Sequence, residues 1–417
     1  MKIRPFSAMR PAGNDLARRI ASLPYDVVDT AEARALASDE LSFYHVVRSE
    51  IDLPPETPVQ SPAVYDRARD ALRALSDRGA MVREAAPSIY LYRQIREGAA
   101  QTAVVACCSM DDYASGTILR HEKTRKDKED DRTNHILATR AHTGQVFLCY
   151  RDDRAIDEAV AREAASEPMF DFEAEDAVRH SVWRVSDEGA AAIRTAFEAV
   201  PRAYIADGHH RSAASFRAGA ELRAKGDPST KRPDLATEDP GADWFMACLF
   251  PASQLKILPY NRCVRDLNGL SSRDFLKAAV ARGFSAAAIS GPDNLPTHSC
   301  AVRLPEGWYR LSWPVSPEQA ADPVARLDVA RLQEDLLAPT LGIGDPRTDP
   351  RIYFTGGVRG TGALERDVAE GKAAAAFAML PTSIDQMMAV ADAGAMMPPK
   401  STWFEPKLRS GLLVHSF

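Results

Sequence analysis

Five consecutive residues, Asp207-Gly208-His209-His210-Arg211, put a carboxylate, two imidazoles and a guanidinium around one glycine. That set suits phosphate chemistry. Arginine binds phosphate oxygens with two parallel N–H groups. A carboxylate can hold a metal ion or accept a hydroxyl proton. The flanking residues indicate how the set is held. Ala203-Tyr204-Ile205-Ala206 reads as a short buried strand, Gly208 permits a tight turn, and the alanine-rich run from Ser212 to Ala220 favours a helix. A helix start presents unpaired N–H groups and a partial positive charge, where an anion can sit. The bland alternative makes Asp207 a helix cap and leaves the histidines on the surface, but a cap does not require His-His-Arg.

Other candidates lie along the chain. Pro24 fixes a bend ahead of Tyr25 and Asp26. The stretch from Ser42 to Asp52 is rich in aromatic and β-branched residues and reads as a strand that brings His45, Arg48, Glu50 and Asp52 close together. Arg48 and Glu50 are either an ion pair or substrate contacts. From Arg120 to Arg132, including His121, Glu122 and Thr124, the chain is most densely charged. It reads either as a solvated helix laced with i,i+4 pairs or as an arm supplying cations to a phosphate. His121-Glu122 lacks a histidine at zincin spacing, which argues against a zinc protease. Asn261 and Arg262 follow an expected strand over 255–260 and belong either to the core or to the site. The tail carries Lys400, Ser401, Thr402, Lys407, Arg409 and Ser410 among prolines, as an anion-binding loop or a lobe-closing tail.

The elements that must position these groups read as an α+β chain. Residues 89–95 and 102–108 form a hairpin around Gly98, and apolar residues at helical spacing make 63–78 an amphipathic helix. Residues 151–176 read as helical with a break at Pro168, 180–185 as a strand and 187–200 as a helix. The last third reads as a hairpin over 308–313, helices over 327–337 and 365–371, and strands over 352–354 and 375–380. With 417 residues, 45% of them hydrophobic, the chain supports two or three lobes. We expect an N-terminal α/β lobe over 1–110, a charged arm with the strand-turn-helix core over 111–235, and a C-terminal α/β lobe over 236–417, with a proline-containing polar loop at 220–239.

A formal net charge of −6 gives no global attraction to nucleic acid or an anionic membrane, so a phosphate site must be local. Six cysteines without metal-ligand spacing, no apolar signal core and no membrane-length apolar run predict a cytoplasmic protein.

Taken together, Arg4-Pro5-Phe6, Leu23 to Val28, Ser42-Phe43 with His45, Arg48 to Asp52, Arg120-His121-Glu122 with Thr124, Ala206 to Arg211 and Pro399 to Thr402 resemble the bacterial and archaeal family known as domain of unknown function 1015. The resemblance spans nearly the whole chain. Asp207 to Arg211 also resembles the phosphate-binding segment of the ParB/sulfiredoxin-like fold, and free-serine kinases of that fold carry a similar Asp-Gly-His-His-Arg. This second resemblance implies a ParB/sulfiredoxin-like core and serine metabolism. The catalytic cysteine of sulfiredoxin has no counterpart, since histidine stands there. The base of the serine kinases has three candidates here, Glu50, Asp26 and Glu122.

The expected activity is phosphoryl transfer from ATP, ADP or pyrophosphate, with Mg²⁺, to the hydroxyl of a free amino acid, L-serine first. Asp207, His209, His210 and Glu50 would be catalytic. Gly208 to Arg211 with Lys400, Ser401 and Thr402 would bind phosphate, and Asp207 would hold the metal. Asp26, Arg48, His45, Asn261 and Arg262 would meet the substrate. A phosphohydrolase using the same anion site and a ParB-like nucleotide-sensing or DNA-binding regulator are the alternatives. Neither nucleic acid nor membrane is an expected partner, and homo-oligomerisation stays open.

Overall fold

The computed structural model describes residues 1–230 and 239–417. The expected lobe boundary at 235/236 and Pro233 of the polar loop lie outside the described residues. The chain forms two units. One comprises Met1–Leu119, Thr124–Leu255 and Pro406–Phe417; the other comprises Arg120–Lys123 and Lys256–Glu405. Both mix helix and strand.

The first unit is built on a nine-stranded mixed sheet. Its order is Ile118–Leu119, Ala203–Asp207, Val146–Tyr150, Trp244–Pro251, Ala99–Ser109, Tyr90–Arg96, Arg179–Arg184 and Phe170–Glu173, with Ile3–Arg4 beside Ala99–Ser109. The central strands read as unbroken apolar runs because both faces are covered: every residue from Val146 to Tyr150 is buried. Leu148, Ile205, Val104 and Leu249 pack on one side with Ile156, Ile193 and Phe197, which come from helices Arg154–Glu163 and Asp187–Glu198. Helix Pro62–Asp77 buries Val64, Ala68, Ala71, Leu72 and Leu75, the stripe expected from its spacing.

Residues 406–417 are threaded into this unit. Ser410 exchanges two backbone hydrogen bonds with Ser22, Val414 two with Met9, and His415 pairs with His142. At Gly411 the backbone has φ +89° and lies so close to Phe43 that a Cβ would meet its ring at 2.7 Å. Only glycine fits there.

The second unit contains an antiparallel six-stranded sheet, ordered Ser285–Ile289, Gly307–Ser312, Ser299–Leu304, Ala375–Met379, Tyr260–Val264 and Ile352–Gly356. Leu364 and Val368 of helix Gly360–Ala369 pack on Cys263, Ala301 and Ala376 of this sheet.

Three local expectations are corrected. Residues 42–52 do not form a strand: Tyr44–Val47 is one helical turn, followed by a 3₁₀ turn over Ser49–Asp52. Local bonds such as Val47 N to Phe43 O, together with packing on helix Pro62–Asp77, override the β propensity of the side chains. Within 151–176, the helix stops at Glu163 and Phe170–Glu173 is an edge strand. Phe170 and Phe172 alternate inward there against Asp171 and Glu173, a period of two rather than 3.6. Asn261 and Arg262 lie inside strand Tyr260–Val264 rather than beyond a strand's end.

All six cysteines are free and buried. Burial pushes their thiols upward, to about 11 for Cys263 and about 12 for Cys149, which keeps them protonated at neutral pH. No described helix is long and apolar enough to cross a membrane.

Candidate functional site

Strand Ala203–Asp207 runs antiparallel to Val146–Tyr150, and its register slips between Ile205 and Asp207. A bulge at that position re-aims the last side chain of the strand. Gly208 follows at φ +92°, and helix His209–Ala224 begins immediately. The expected strand, glycine turn and helix are therefore all present. A Cβ on Gly208 would lie 3.1 Å from Arg211 Nε and 3.2 Å from Cζ, so the glycine both adopts the left-handed conformation and makes room for the guanidinium.

The Asp207 carboxylate is fully engaged. Its Oδ1 accepts from Gly208 N at 2.7 Å, and its Oδ2 accepts from Lys407 Nζ at 2.9 Å. Arg211 NH2 stands 3.6 Å from Asp207 Oδ1 and 3.9 Å from Asp26 Oδ2, while NH1 donates to the Gln145 carbonyl. Arg211 is buried and Asp26 exposed. Burial alone would raise the Asp207 carboxyl, but the Lys407 and Arg211 charges and the bonds to Lys407 and Gly208 outweigh it and hold the group well below the usual carboxylate range. A carboxylate held so low is a weak proton acceptor and a good orienting or metal-binding group.

Lys407, read from sequence only as one member of a candidate anion-binding tail, is the residue the structure sets against Asp207. Gln94 Nε2 donates to its carbonyl at 2.9 Å, and Gln101 Nε2 donates to Gln94 Oε1 at 2.9 Å, tying Lys407 to the sheet. Beside it, Arg409 N donates to Tyr92 Oη at 3.2 Å, and the Arg409 guanidinium pairs with Asp176. The signal available was a lysine heading a run, Leu408 to Val414, that is almost wholly apolar or small. A cation entering such a run needs an anionic partner.

His209 is buried. His210 Nε2 accepts from Arg125 N at 3.0 Å and so joins the motif to the start of helix Lys126–Thr139. That helix realises the ion-paired reading for the charged stretch from Lys126 onward, while residues 120–125 are not helical: Lys126 pairs with Asp130, and Arg217 of helix His209–Ala224 bridges Glu129 and Asp130. The Thr124 hydroxyl donates to Glu129. Arg48 makes three contacts within its own segment: Nε lies 3.0 Å from Glu50, NH1 donates to Tyr25 O at 3.2 Å and NH2 to Thr30 Oγ1 at 2.8 Å. It thereby fixes the bend that carries Asp26. His45 pairs with Asp52 at 2.8 Å, which raises its imidazole.

The remaining candidates belong to the second unit. The Ser401 hydroxyl donates to Pro398 O at 2.6 Å. Lys400 Nζ sits 5.4 Å from the Tyr260 ring centre, and Thr402 follows it at the foot of strand Trp403–Phe404. Asn261 Oδ1 accepts from Met379 N at 3.0 Å, inside the sheet. Arg262 is buried, donates to Tyr260 O, and is lowered by burial to about 10. The carbonyl of His121, between Arg120 and Glu122, accepts from Met397 N at 2.8 Å. Asp207, Gly208, His209, His210, Arg211 and Asp26 are thus gathered in the first unit together with Lys407. Arg48, paired with Glu50, donates to the carbonyl of Tyr25, the residue before Asp26.

No curated protein matches this sequence. Among solved structures the chain is similar to a variant of a free serine kinase in complex with AMP, at TM-score 0.36 and 10% identity, covering 74% of this chain and 92% of that one. A conserved hypothetical protein from Pyrococcus furiosus aligns at TM-score 0.35 and 11% identity over 74% and 95% of the two chains. The C-terminally truncated SbnI from Staphylococcus aureus aligns at TM-score 0.38 and 11% identity over 75% and 87%. The sequence profile of the proteins of unknown function DUF1015 matches residues 3–330, which takes in the Asp207–Arg211 motif and the segment bearing Asp26. The chain belongs to the DUF1015 family.

Proposed function

We propose that this chain is a small-molecule phosphotransferase that moves a phosphoryl group from ATP, ADP or pyrophosphate to the hydroxyl of a free amino acid, L-serine first. The observation that carries the reading is the convergence of the Arg211 guanidinium and the Lys407 ammonium on Asp207, where a bulged strand turns through Gly208 into a helix. Phosphoryl transfer asks little covalent chemistry of a protein. It asks for cations around the oxygens in flight and for a carboxylate that orients the attacking hydroxyl.

In this reading Arg211 and Lys407 take the transferring oxygens, assisted by the helix start and by His209 and His210. Asp207, held well below the usual range, orients rather than deprotonates. The base is then Asp26, Glu50 or Glu122, of which Asp26 and Glu50 belong to the same unit as Asp207. Asp26 is exposed and lies 3.9 Å from Arg211, whereas Glu50 is occupied by Arg48 at 3.0 Å. Geometry favours Asp26. The choice of L-serine rests on the resemblance of Asp207–Arg211 to the motif of free-serine kinases.

Mg²⁺ takes oxygen ligands and commonly binds through one or two carboxylates plus substrate phosphates. Asp26, which is exposed, and Asp207, once Lys407 has turned from it to the donor phosphates, would supply that donor set. When bound, the ion would neutralise charge on the donor phosphates.

Phosphorus NMR of the purified protein with Mg²⁺ and a pool of hydroxy amino acids, offering each donor in a separate tube, tests the reading. A new phosphomonoester signal is the expected result and names donor and acceptor together. Free phosphate without phosphomonoester would replace the kinase with a phosphohydrolase.

A further inference from the structure

Beside Arg211, within the first unit, lies a cavity of about 30 Å³ whose walls include Tyr25, His142, Thr143, Gly144, Arg211 and Ser410. His142 Nε2 is buried in this wall and makes no hydrogen bond. Its protonation state follows from its neighbours. His415 Nε2 lies 2.7 Å from the Pro240 carbonyl, which can only accept, so that nitrogen carries the proton. Burial keeps both rings neutral, lowering His415 to about 4 and His142 well below the ordinary value. A neutral His415 protonated at Nε2 has a bare Nδ1. The 3.0 Å contact between the two Nδ1 atoms therefore requires His142 to donate. His142 is left with a bare Nε2.

We infer that this cavity is a built seat for one hydroxyl group, with His142 Nε2 accepting its proton in a hydrogen bond. The wall includes residues that carry donors as well as this acceptor: Arg211, Thr143 and Ser410 line a space that holds a water-sized group. A hydroxyl both donates and accepts, which matches such a wall, whereas a carboxylate, having no proton to donate, offers nothing to a bare imidazole nitrogen. The hydroxyl belongs either to a resident water or to an alcohol ligand. Naming the alcohol as the phosphoryl acceptor rests on the reading proposed above; the seat itself does not.

The test is nitrogen NMR on the full chain labelled with ¹⁵N-histidine, with His142 assigned through scalar coupling across its Nδ1–H···Nδ1 bond to His415. The expected result is an unprotonated Nε2 throughout the neutral range, with a cross-peak from a slowly exchanging hydroxyl proton to the His142 ring. A shift of Nε2 on adding L-serine, with none on adding L-alanine, assigns the hydroxyl to the ligand. A water cross-peak unchanged by L-serine assigns it to a resident water. A protonated Nε2, or a bare Nε2 with no hydroxyl proton beside it under either condition, overturns the seat. No phosphoryl donor is present, so this result and the phosphotransfer result can fail independently.

Discussion

Lys407 Nζ lies 2.9 Å from Asp207 Oδ2, although 200 residues of chain separate them. The pair joins the C-terminal segment to the end of the strand that carries the motif. Lys407 is nearly buried and Asp207 retains 24% side-chain exposure, so the interaction is neither a loose surface bridge nor a fully desolvated one. Lys407→Met removes the cation and leaves Asp207 with Arg211 alone. We expect a loss of about 1–3 kcal/mol in urea unfolding, and at least a ~100-fold loss of phosphoryl transfer.

The same pair sets an acid limit. Asp207 is depressed in the folded protein, so its contribution is fully present above the unfolded carboxyl value of about 4 and is lost as pH falls below it. Asp207→Asn should therefore flatten the stability profile below about pH 4 and leave its neutral limb unchanged in shape.

A second acid effect appears at higher pH. His135 and His415 are lowered to about 4 and His180 to about 3, each first by burial. The unfolded chain takes up protons below about 6.5 that the folded chain refuses, so stability is present above that value and falls as pH drops toward about 4. We expect about 1–2 kcal/mol lost per histidine between about pH 6.5 and 5, read by urea unfolding at several pH values. A flat profile over that range would show that these imidazoles protonate in place.

Gly208→Ala combines two costs that Gly116→Ala separates. Both glycines have positive φ, +92° and +81°, but nothing lies within 4 Å of a Cβ at Gly116, whereas Arg211 Nε lies 3.1 Å from one at Gly208. Each variant should lose about 1–2 kcal/mol to backbone strain. Only Gly208→Ala should also weaken nucleotide or pyrophosphate affinity, measured by titration calorimetry, because only there must the guanidinium move.

His210→Ala removes the acceptor for Arg125 N at the start of helix Lys126–Thr139. The Arg125 amide should lose hydrogen-exchange protection while the middle of that helix keeps its own. Protection that persists would assign the anchoring to the Glu129 and Asp130 pairs with Arg217.

The motif was legible in sequence because its chemistry and its geometry are local: a β-prone run, one glycine and an alanine-rich run lie in consecutive positions, and each kept its propensity. Helix Pro62–Asp77 was legible for the same reason, since its apolar stripe repeats at helical spacing. Residues 42–52 misled because their aromatic and β-branched side chains fill a helical turn packed on another helix, where contacts outweigh propensity. Lys407 could not be placed by local pattern at all: what puts it beside Asp207 is the backbone pairing of Ser410 with Ser22 and Val414 with Met9, and the Gln94 bond to its carbonyl. Ser401, named with Lys407 in the same candidate anion-binding tail, spends its hydroxyl on Pro398. The bond separates the two, and composition does not.

The most direct measurement compares phosphomonoester formation, by phosphorus NMR with Mg²⁺ and L-serine, in the wild-type chain, Asp207→Asn and Arg211→Lys, with the melting temperature of each recorded alongside. Arg211→Lys keeps the charge and loses the fork that reaches Gln145, Asp207 and Asp26 at once. The account predicts product from the wild-type chain, at least a ~100-fold lower rate from either variant, and folded protein in all three tubes. Product formed at the wild-type rate by both folded variants would contradict it, since phosphoryl transfer would then occur somewhere other than this site.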